Sequence, residues 1–161
     1  MIAIIIVGDE ILSGDVQEEN LPVMIQALGT IGYRPAEVRI IGDDVNVIAE
    51  TFRELAARHD YVISSGGVGP THDDVTLEGA AEGLELALKR HPVMYEFLKG
   101  HHGEPLSSSV IRMAMLPAGS EVFVDYSHHW PLIKSQNCFI LPGLPVALRD
   151  KMGRIVQMLP Q

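Results

Sequence analysis

The stretch from Ser64 to Thr76 reads Ser-Ser-Gly-Gly-Val-Gly-Pro-Thr-His-Asp-Asp-Val-Thr. An apolar run, Tyr61-Val62-Ile63, leads into it, and a helical pattern begins near Leu77. A glycine-rich turn between a strand and a helix N-terminus lets backbone N–H groups come close to an anion. The adjacent carboxylates Asp73 and Asp74 would repel a bare phosphate, and they make chemical sense when a divalent cation lies between them and the phosphate oxygens. These residue types in this order predict half of a metal-assisted phosphate or pyrophosphate site. His72, inside the turn, is a candidate to meet a phosphate or a leaving group.

Three more groups stand just past apolar runs. Gly8-Asp9-Glu10 follows Ile2 to Val7, and its loop continues through Ser13-Gly14-Asp15 to Asn20. Asp43-Asp44 follows Val38 to Ile41, and Pro142-Gly143-Leu144-Pro145 follows Cys138 to Leu141. Ligands of open α/β sheets sit outside the carboxyl ends of the strands, so a parallel sheet gathers all four groups at one edge. Each has a plainer rival. Asp44 suits a helix N-cap that also complements the helix dipole. Asp74 suits the cap of a tight strand-to-helix turn, Asn20 a helix cap, Ser13 a loop position, and the proline-glycine loop a structural stop. His101-His102 and His128-His129 fall in expected loops without helical i,i+4 pairing or nearby cysteine, and are expected to be exposed and not to bind metal. Neither Gly-x-Ser-x-Gly nor a Gly-Lys-Ser/Thr phosphate loop occurs, so hydrolysis here must rely on metal-activated water.

The elements that must position these loops alternate along the chain. Residues 2–7 read as a strand buried on both faces. Asn20 is expected to cap a helix over about residues 21–31, with Pro22 in its first turn. A strand at Val38–Ile41, a helix over about 45–58 presenting Val47, Ile48, Phe52 and Leu55, a strand at 60–64 and a Thr76-capped helix over about 77–89 complete a β-α-β-α-β-α series. Past His91-Pro92, a helix over about 93–99 is expected to break at Gly100-His101-His102-Gly103, and another to run from Ser107–Ser109 toward Met115. The tail reads as strands at 121–124, 131–134 and 138–141, then an amphipathic helix near 146–158.

The chain has 161 residues, 47% hydrophobic and 20% charged, which predicts one domain over 1–161 with its own core. Its 12 Lys+Arg against 21 Asp+Glu give a formal net charge of -9, so neither nucleic acid nor an anionic membrane is an expected partner. A small anionic ligand would need local help from backbone dipoles or a bound cation. No apolar run approaches a bilayer-spanning length, and Met1 to Val7 reads as a strand, not a signal peptide. The single Cys138 excludes an internal disulfide and an all-cysteine zinc site, and suits a cytoplasmic setting.

Taken in order, Gly8-Asp9-Glu10-Ile11-Leu12-Ser13-Gly14 with Asn20, Asp43-Asp44, the Gly66–Thr76 loop and Pro142-Gly143-Leu144-Pro145 resemble the molybdopterin-binding (MoaB/Mog) domain family. Within it they are most similar to the N-terminal domain of CinA-type proteins. Trp130-Pro131-Leu132 leading into Phe139-Ile140-Leu141-Pro142-Gly143 is similar to the molybdopterin-binding-like domain of FAD synthases. The resemblance covers nearly the whole chain. It implies a three-layer α/β/α sandwich with a mostly parallel sheet, assembled as a homo-oligomer (dimer or trimer). It also implies a small anionic nucleotide or pterin ligand, and either Mg²⁺-dependent cleavage of the pyrophosphate of ADP-ribose or FAD, or molybdopterin binding or adenylyl transfer. A non-catalytic binding module of the same fold is a further alternative. On the hydrolase reading, Asp43, Asp44 and Asp74 are catalytic, and Asp9, Asp44 and Asp74 hold the metal, Mg²⁺ by expectation. Gly66, Gly67, Gly69, Thr71, Thr76 and Ser13 contact phosphate. Glu10, Asn20, His72, Asp73, Pro142, Gly143 and Pro145 line the rest of the pocket. The chain departs from the CinA-type pattern at Asp125–Trp130, where a Gly/Pro-rich segment is usual, and at Ala147, where a Glu is usual.

Overall fold

The computed structural model describes residues 1–125 and 130–161. Its central strand, β1 (Ile2–Val7), is buried at every residue, as an unbroken apolar run must be when both sheet faces are covered. β1 lies between β2 (Pro35–Ile41) and β3 (Tyr61–Ser65), parallel to both. β3 pairs in parallel with β8 (Cys138–Leu141). Antiparallel β7 (Leu132–Ser135) and β6 (Glu121–Phe123) complete the order β2-β1-β3-β8-β7-β6.

Successive side chains of a strand point to opposite faces, and β1 accordingly feeds two cores. Ile2, Ile4 and Ile6 meet Met24 and Leu28 of α2 (Asn20–Gly29) and Leu148, Met152 and Ile155 of α7 (Pro145–Met158). Ala3, Ile5 and Val7 share the other core with Ile48, Phe52 and Leu55 of α3 (Val45–Arg58). Leu77 and Ala80 of α4 (Thr76–Gly83) and Met94 and Leu98 of α5 (Pro92–His102) close that side. Helices on both faces of a mostly parallel sheet make the three-layer α/β/α arrangement that the family resemblance implied, on the parallel sheet that the alternation predicted. The chain leaves β1 for β2 on one side through α2, then crosses to β3 on the other through α3. That reversal opens a crevice between the carboxyl ends of β1 and β3.

Several local expectations yield to competing interactions. Asn20 does not cap α2; it is the helix's first residue. Glu18 does the capping, its carboxylate accepting the N–H groups of Asn20 at 2.8 Å and Leu21 at 2.6 Å. Thr76 likewise opens α4 without capping it. That helix stops at Gly83, not near residue 89, and the chain turns at Glu85, whose φ is 59°. It then forms β4 (Leu88–Arg90), paired antiparallel with β5 (Met115–Pro117). Strands this short show no legible alternation, so sequence pattern missed the ribbon. α5 runs through Gly100 to His102, which puts His101 and His102 in a helix's last turn instead of a loop. Ser107 does cap a helix, accepting Val110 N–H at 3.3 Å, but α6 (Ser108–Arg112) is short of Met115. A single helical turn, α1 (Asp9–Leu12), stands where a loop was expected. His128-His129 lie outside the described residues. No helix among the described residues is long and apolar enough to cross a membrane.

Candidate functional site

The ends of β1 and β2 are levelled by the Gly8 N–H, which donates to Ile41 O at 2.9 Å. Just beyond, Asp9 N–H donates to Asp43 Oδ2 and Asp43 N–H donates to Asp9 Oδ1, both at 3.0 Å. Two carboxylates far apart in sequence are thereby locked together, each with one oxygen held by the other's amide. Partial burial pushes the Asp43 carboxyl above its ordinary value. The hydrogen bond from Asp9 partly offsets this, and the charges of Asp9, Glu10 and Asp73 push it up further. The space beside the preceding glycines is already taken. A Cβ on Gly42 would strike Asp9 Oδ1, and one on Gly8 would sit 2.5 Å from Glu10 Oε1. Asp44, by contrast, faces its own helix: its Oδ1 accepts the N–H groups of Asn46 at 2.9 Å and Val47 at 3.1 Å. The capping role accounts for it.

The glycine loop is closed by its own side chains. Gly66 donates to Leu141 O at 3.1 Å, and the loop turns at φ 96° for Gly66 and 69° for Gly67. A Cβ on Gly66 would run into Val7 O, and one on Gly67 into Thr76 Oγ1. Thr76, fully buried, donates its hydroxyl to Gly66 O at 2.9 Å and its N–H to Gly67 O at 3.1 Å. Its hydroxyl staples the loop and is not turned toward a ligand. Asp74 Oδ2 accepts both the N–H and the hydroxyl of Thr71, at 3.0 and 2.7 Å. Gly69 passes so close that a Cβ there would lie 2.6 Å from the same oxygen. Asp74 and Thr71 therefore close a turn. Ser13 is exposed and donates to Asp15 Oδ2 at 2.9 Å, outside the crevice. His72, 93% exposed, lies 3.2 Å from Asp73.

Arg112 of α6 is the residue that sequence reasoning missed. It donates through Nη1 to Thr71 O at 3.1 Å, through Nη2 to Asp74 O, and through Nε to Glu78 Oε1 at 3.1 Å. One guanidinium thus ties two carbonyls of the turn to α4. Nothing in the local pattern around Arg112 signals this, because its partners come from a loop far upstream.

Between the ends of β1 and β3 lies a cavity of about 320 Å³, bordered by Ile6, Val7, Glu10, Asn20, Ser65, Gly66, Gly143 and Pro145. Asn20 Nδ2 donates to Ser65 Oγ at 3.0 Å and to Gly143 O at 2.9 Å, tying β3 to the loop after β8. Its Oδ1 is buried without a partner. A Cβ on Gly143 would be 3.5 Å from Gly66 Cα, so these two loops touch, with Pro142 buried behind them. Glu10, Glu18 and Glu19 border the space and no basic side chain does, among the described residues. An anion entering here would need backbone amides or a cation.

The structure thus brings Asp9, Glu10 and Asp73 within reach of the Asp43 carboxylate. It does not assemble Asp9, Asp44 and Asp74: among the described residues, no three His, Cys, Asp or Glu side chains form a metal-holding group. The Asp9–Asp43 pair still fits Mg²⁺. That ion is commonly held by one or two carboxylates, with water and ligand phosphates completing its shell.

The model of a family described as a probable molybdopterin binding domain matches residues 3–161. A protein of Archaeoglobus fulgidus is 34% identical over 154 residues, 96% of this chain and 66% of its own. A probable FAD synthase of Caenorhabditis elegans is 30% identical over 165 residues, 89% of this chain and 32% of its own. The chain therefore spans less than two thirds of the length of these relatives. Among solved structures, the CinA protein of unknown function from Thermoplasma acidophilum superposes with a TM-score of 0.89 at 27% identity, covering 98% of this chain and 96% of the other. The molybdopterin biosynthesis enzyme MoaB of Thermus thermophilus, at 20% identity and a TM-score of 0.61 over 99% of this chain and 91% of its own, shares the fold.

Proposed function

The chain belongs to the molybdopterin-binding domain family, and from that membership we propose that its crevice binds a phosphorylated nucleotide or pterin and hydrolyses the pyrophosphate of an adenine dinucleotide such as ADP-ribose or FAD, with Mg²⁺ or a similar ion. The observation that carries this reading is the reciprocal Asp9–Asp43 lock just past the end of β1, where Gly66 packs against Val7 O. A divalent cation held at that pair would neutralise charge on the leaving phosphate and lower the pKa of bound water. Asp9 and Asp43, each fixed by the other's amide, would hold that cation and orient the water bound to it. A homo-oligomer working in the cytoplasm belongs to the same reading.

The test is release of AMP from pure ADP-ribose or FAD in the presence of Mg²⁺. Replacing Asp43 by Asn should lower the rate by about a hundredfold, the upper range for disturbing the groups around a bound metal. A wild-type rate no higher than that of Asp43→Asn refutes hydrolysis. The family description and the fold shared with MoaB favour a second reading, pterin binding or adenylyl transfer in cofactor assembly. Tight molybdopterin binding without dinucleotide cleavage would select it.

A further inference from the structure

The two edges of the six-stranded sheet differ. β6 has three residues, with Arg154 lying over Phe123 at 5.8 Å and Lys134 near Glu121. A short, charged edge of this kind resists pairing with another chain. β2, at the other edge, has seven residues. Ile41 O is turned toward β1, where it accepts Gly8 N–H at 2.9 Å. The backbone groups of successive strand residues point to opposite sides, so Val38 and Ile40 turn their N–H and C=O groups to the open edge. Their side chains share a face with Ile4 and Ile6, with which they are in register. Ile4 and Ile6 are buried, whereas Val38 and Ile40 are 36% and 42% exposed. Leu12, also exposed, extends this apolar row, since a Cβ on Gly42 would lie 3.7 Å from its Cδ1.

The other face of β2 is charged and balanced. Arg39 donates to Glu37 at 2.7 Å and to Glu54 at 2.8 Å, and Arg58 donates to Glu37 at 2.7 Å. Two acids and two bases cancel there, on a chain whose net charge is -9. Two copies can therefore approach along this flank without the repulsion that acts between them elsewhere.

We propose that β2 pairs antiparallel with β2 of a second copy about a two-fold axis at Val38, joining two six-stranded sheets into one. Self-complementarity selects both the occupant and the register. With the axis at Val38, the outward N–H and C=O groups of one Val38 meet those of the other as a hydrogen-bonded pair. Glu37 of each copy then stands opposite Arg39 of the other, and the apolar row meets itself on the far face. An axis at Arg39 would oppose two guanidinium groups, and one at Ile40 would run off the end of the strand. A two-fold contact of this kind closes as a dimer. It supplies the contact of the homo-oligomer in the reading above and is independent of its chemistry. The paired strands run in opposite directions, so the two crevices lie apart and each belongs to one copy.

Analytical ultracentrifugation of the intact chain should show dimers that dissociate on dilution through about the micromolar range, as a small interface does. Val38→Lys sets two ammonium groups against each other on the axis. It should raise the dissociation constant at least about tenfold and leave AMP release per chain unchanged. Val38→Cys should form an intermolecular disulfide in oxidised glutathione, because opposed residues of a hydrogen-bonded pair lie about 5.5 Å apart at Cα. Ile40→Cys should not, because the two copies of that residue are offset by about 14 Å along the strands. Cys138 is buried, with its thiol pushed up to about 12, and does not compete. The proposal is overturned by a chain still monomeric at about 100 µM, by a trimer, by a dimer that Val38→Lys leaves intact, or by equal cross-linking of the two cysteine variants. A dimer that behaves as expected but releases no AMP from ADP-ribose would remove hydrolysis and keep the interface. AMP release by a monomeric wild type would do the reverse.

Discussion

Gly67→Ala is expected to destabilise the protein by about 3 kcal/mol, mostly through Thr76. At φ 69° an L-residue is strained by about 1 kcal/mol. Its Cβ would also displace Thr76 Oγ1, breaking the 2.9 Å bond to Gly66 O. Leaving that carbonyl unmet inside the fold adds about 2 kcal/mol. Thr76→Ala alone leaves the same carbonyl unmet, again about 2 kcal/mol. In the double variant the collision is gone and the bond is lost only once. It should therefore be about 3 kcal/mol less stable than wild type, where simple addition gives about 5. The coupling of about 2 kcal/mol is measurable by urea unfolding of the four proteins in a double-mutant cycle. If the two losses add to within about 0.5 kcal/mol, Thr76 is not what makes a side chain at position 67 intolerable, and the staple account of the loop is wrong.

Arg112→Leu should cost about 2 kcal/mol. Two charge-assisted bonds to carbonyls are lost, and the partly exposed Glu78 ion pair adds little. Amide exchange should accelerate at Asp74, whose N–H donates to Thr71 O at 3.1 Å, by more than the global loss explains; unchanged local exchange would show that Arg112 does not hold the turn. Asp43 gives a pH signature with a definite sign. Its folded-state pKa is raised above the ordinary 3.8, so the folded chain binds more protons between those two values. This contribution to stability therefore falls as pH rises through that window and stays low at neutral pH. Asp43→Asn should abolish the fall, and Mg²⁺ should raise the melting temperature of the wild type at about pH 7 but not that of the variant. Equal Mg²⁺ responses would mean that the Asp9–Asp43 pair is not the ion's seat.

The strands and the glycine loop were legible because their signals are local. Ile2 to Val7 can be nothing but a two-sided buried strand, and Gly66-Gly67 can tolerate the φ values and close approaches that their turn imposes. With the β-α alternation, this was enough to predict a parallel sheet and to place the ligand edge at its carboxyl end. The roles of the carboxylates were not legible. Capping, turn closure and cation binding all ask for the same residue type at the same kind of place. Asp44 meets the amides of Asn46 and Val47, Asp74 meets Thr71, and Asp43 meets Asp9 from another strand. Sequence alone therefore determined which loops follow the carboxyl ends of the strands. Which of their carboxylates remain for chemistry was decided by the folded backbone, because a carboxylate goes to whichever donor lies within about 3 Å of it: for Asp44 and Asp74 that donor is local, whereas for Asp43 it is the amide of Asp9, which only the pairing of β1 with β2 brings near.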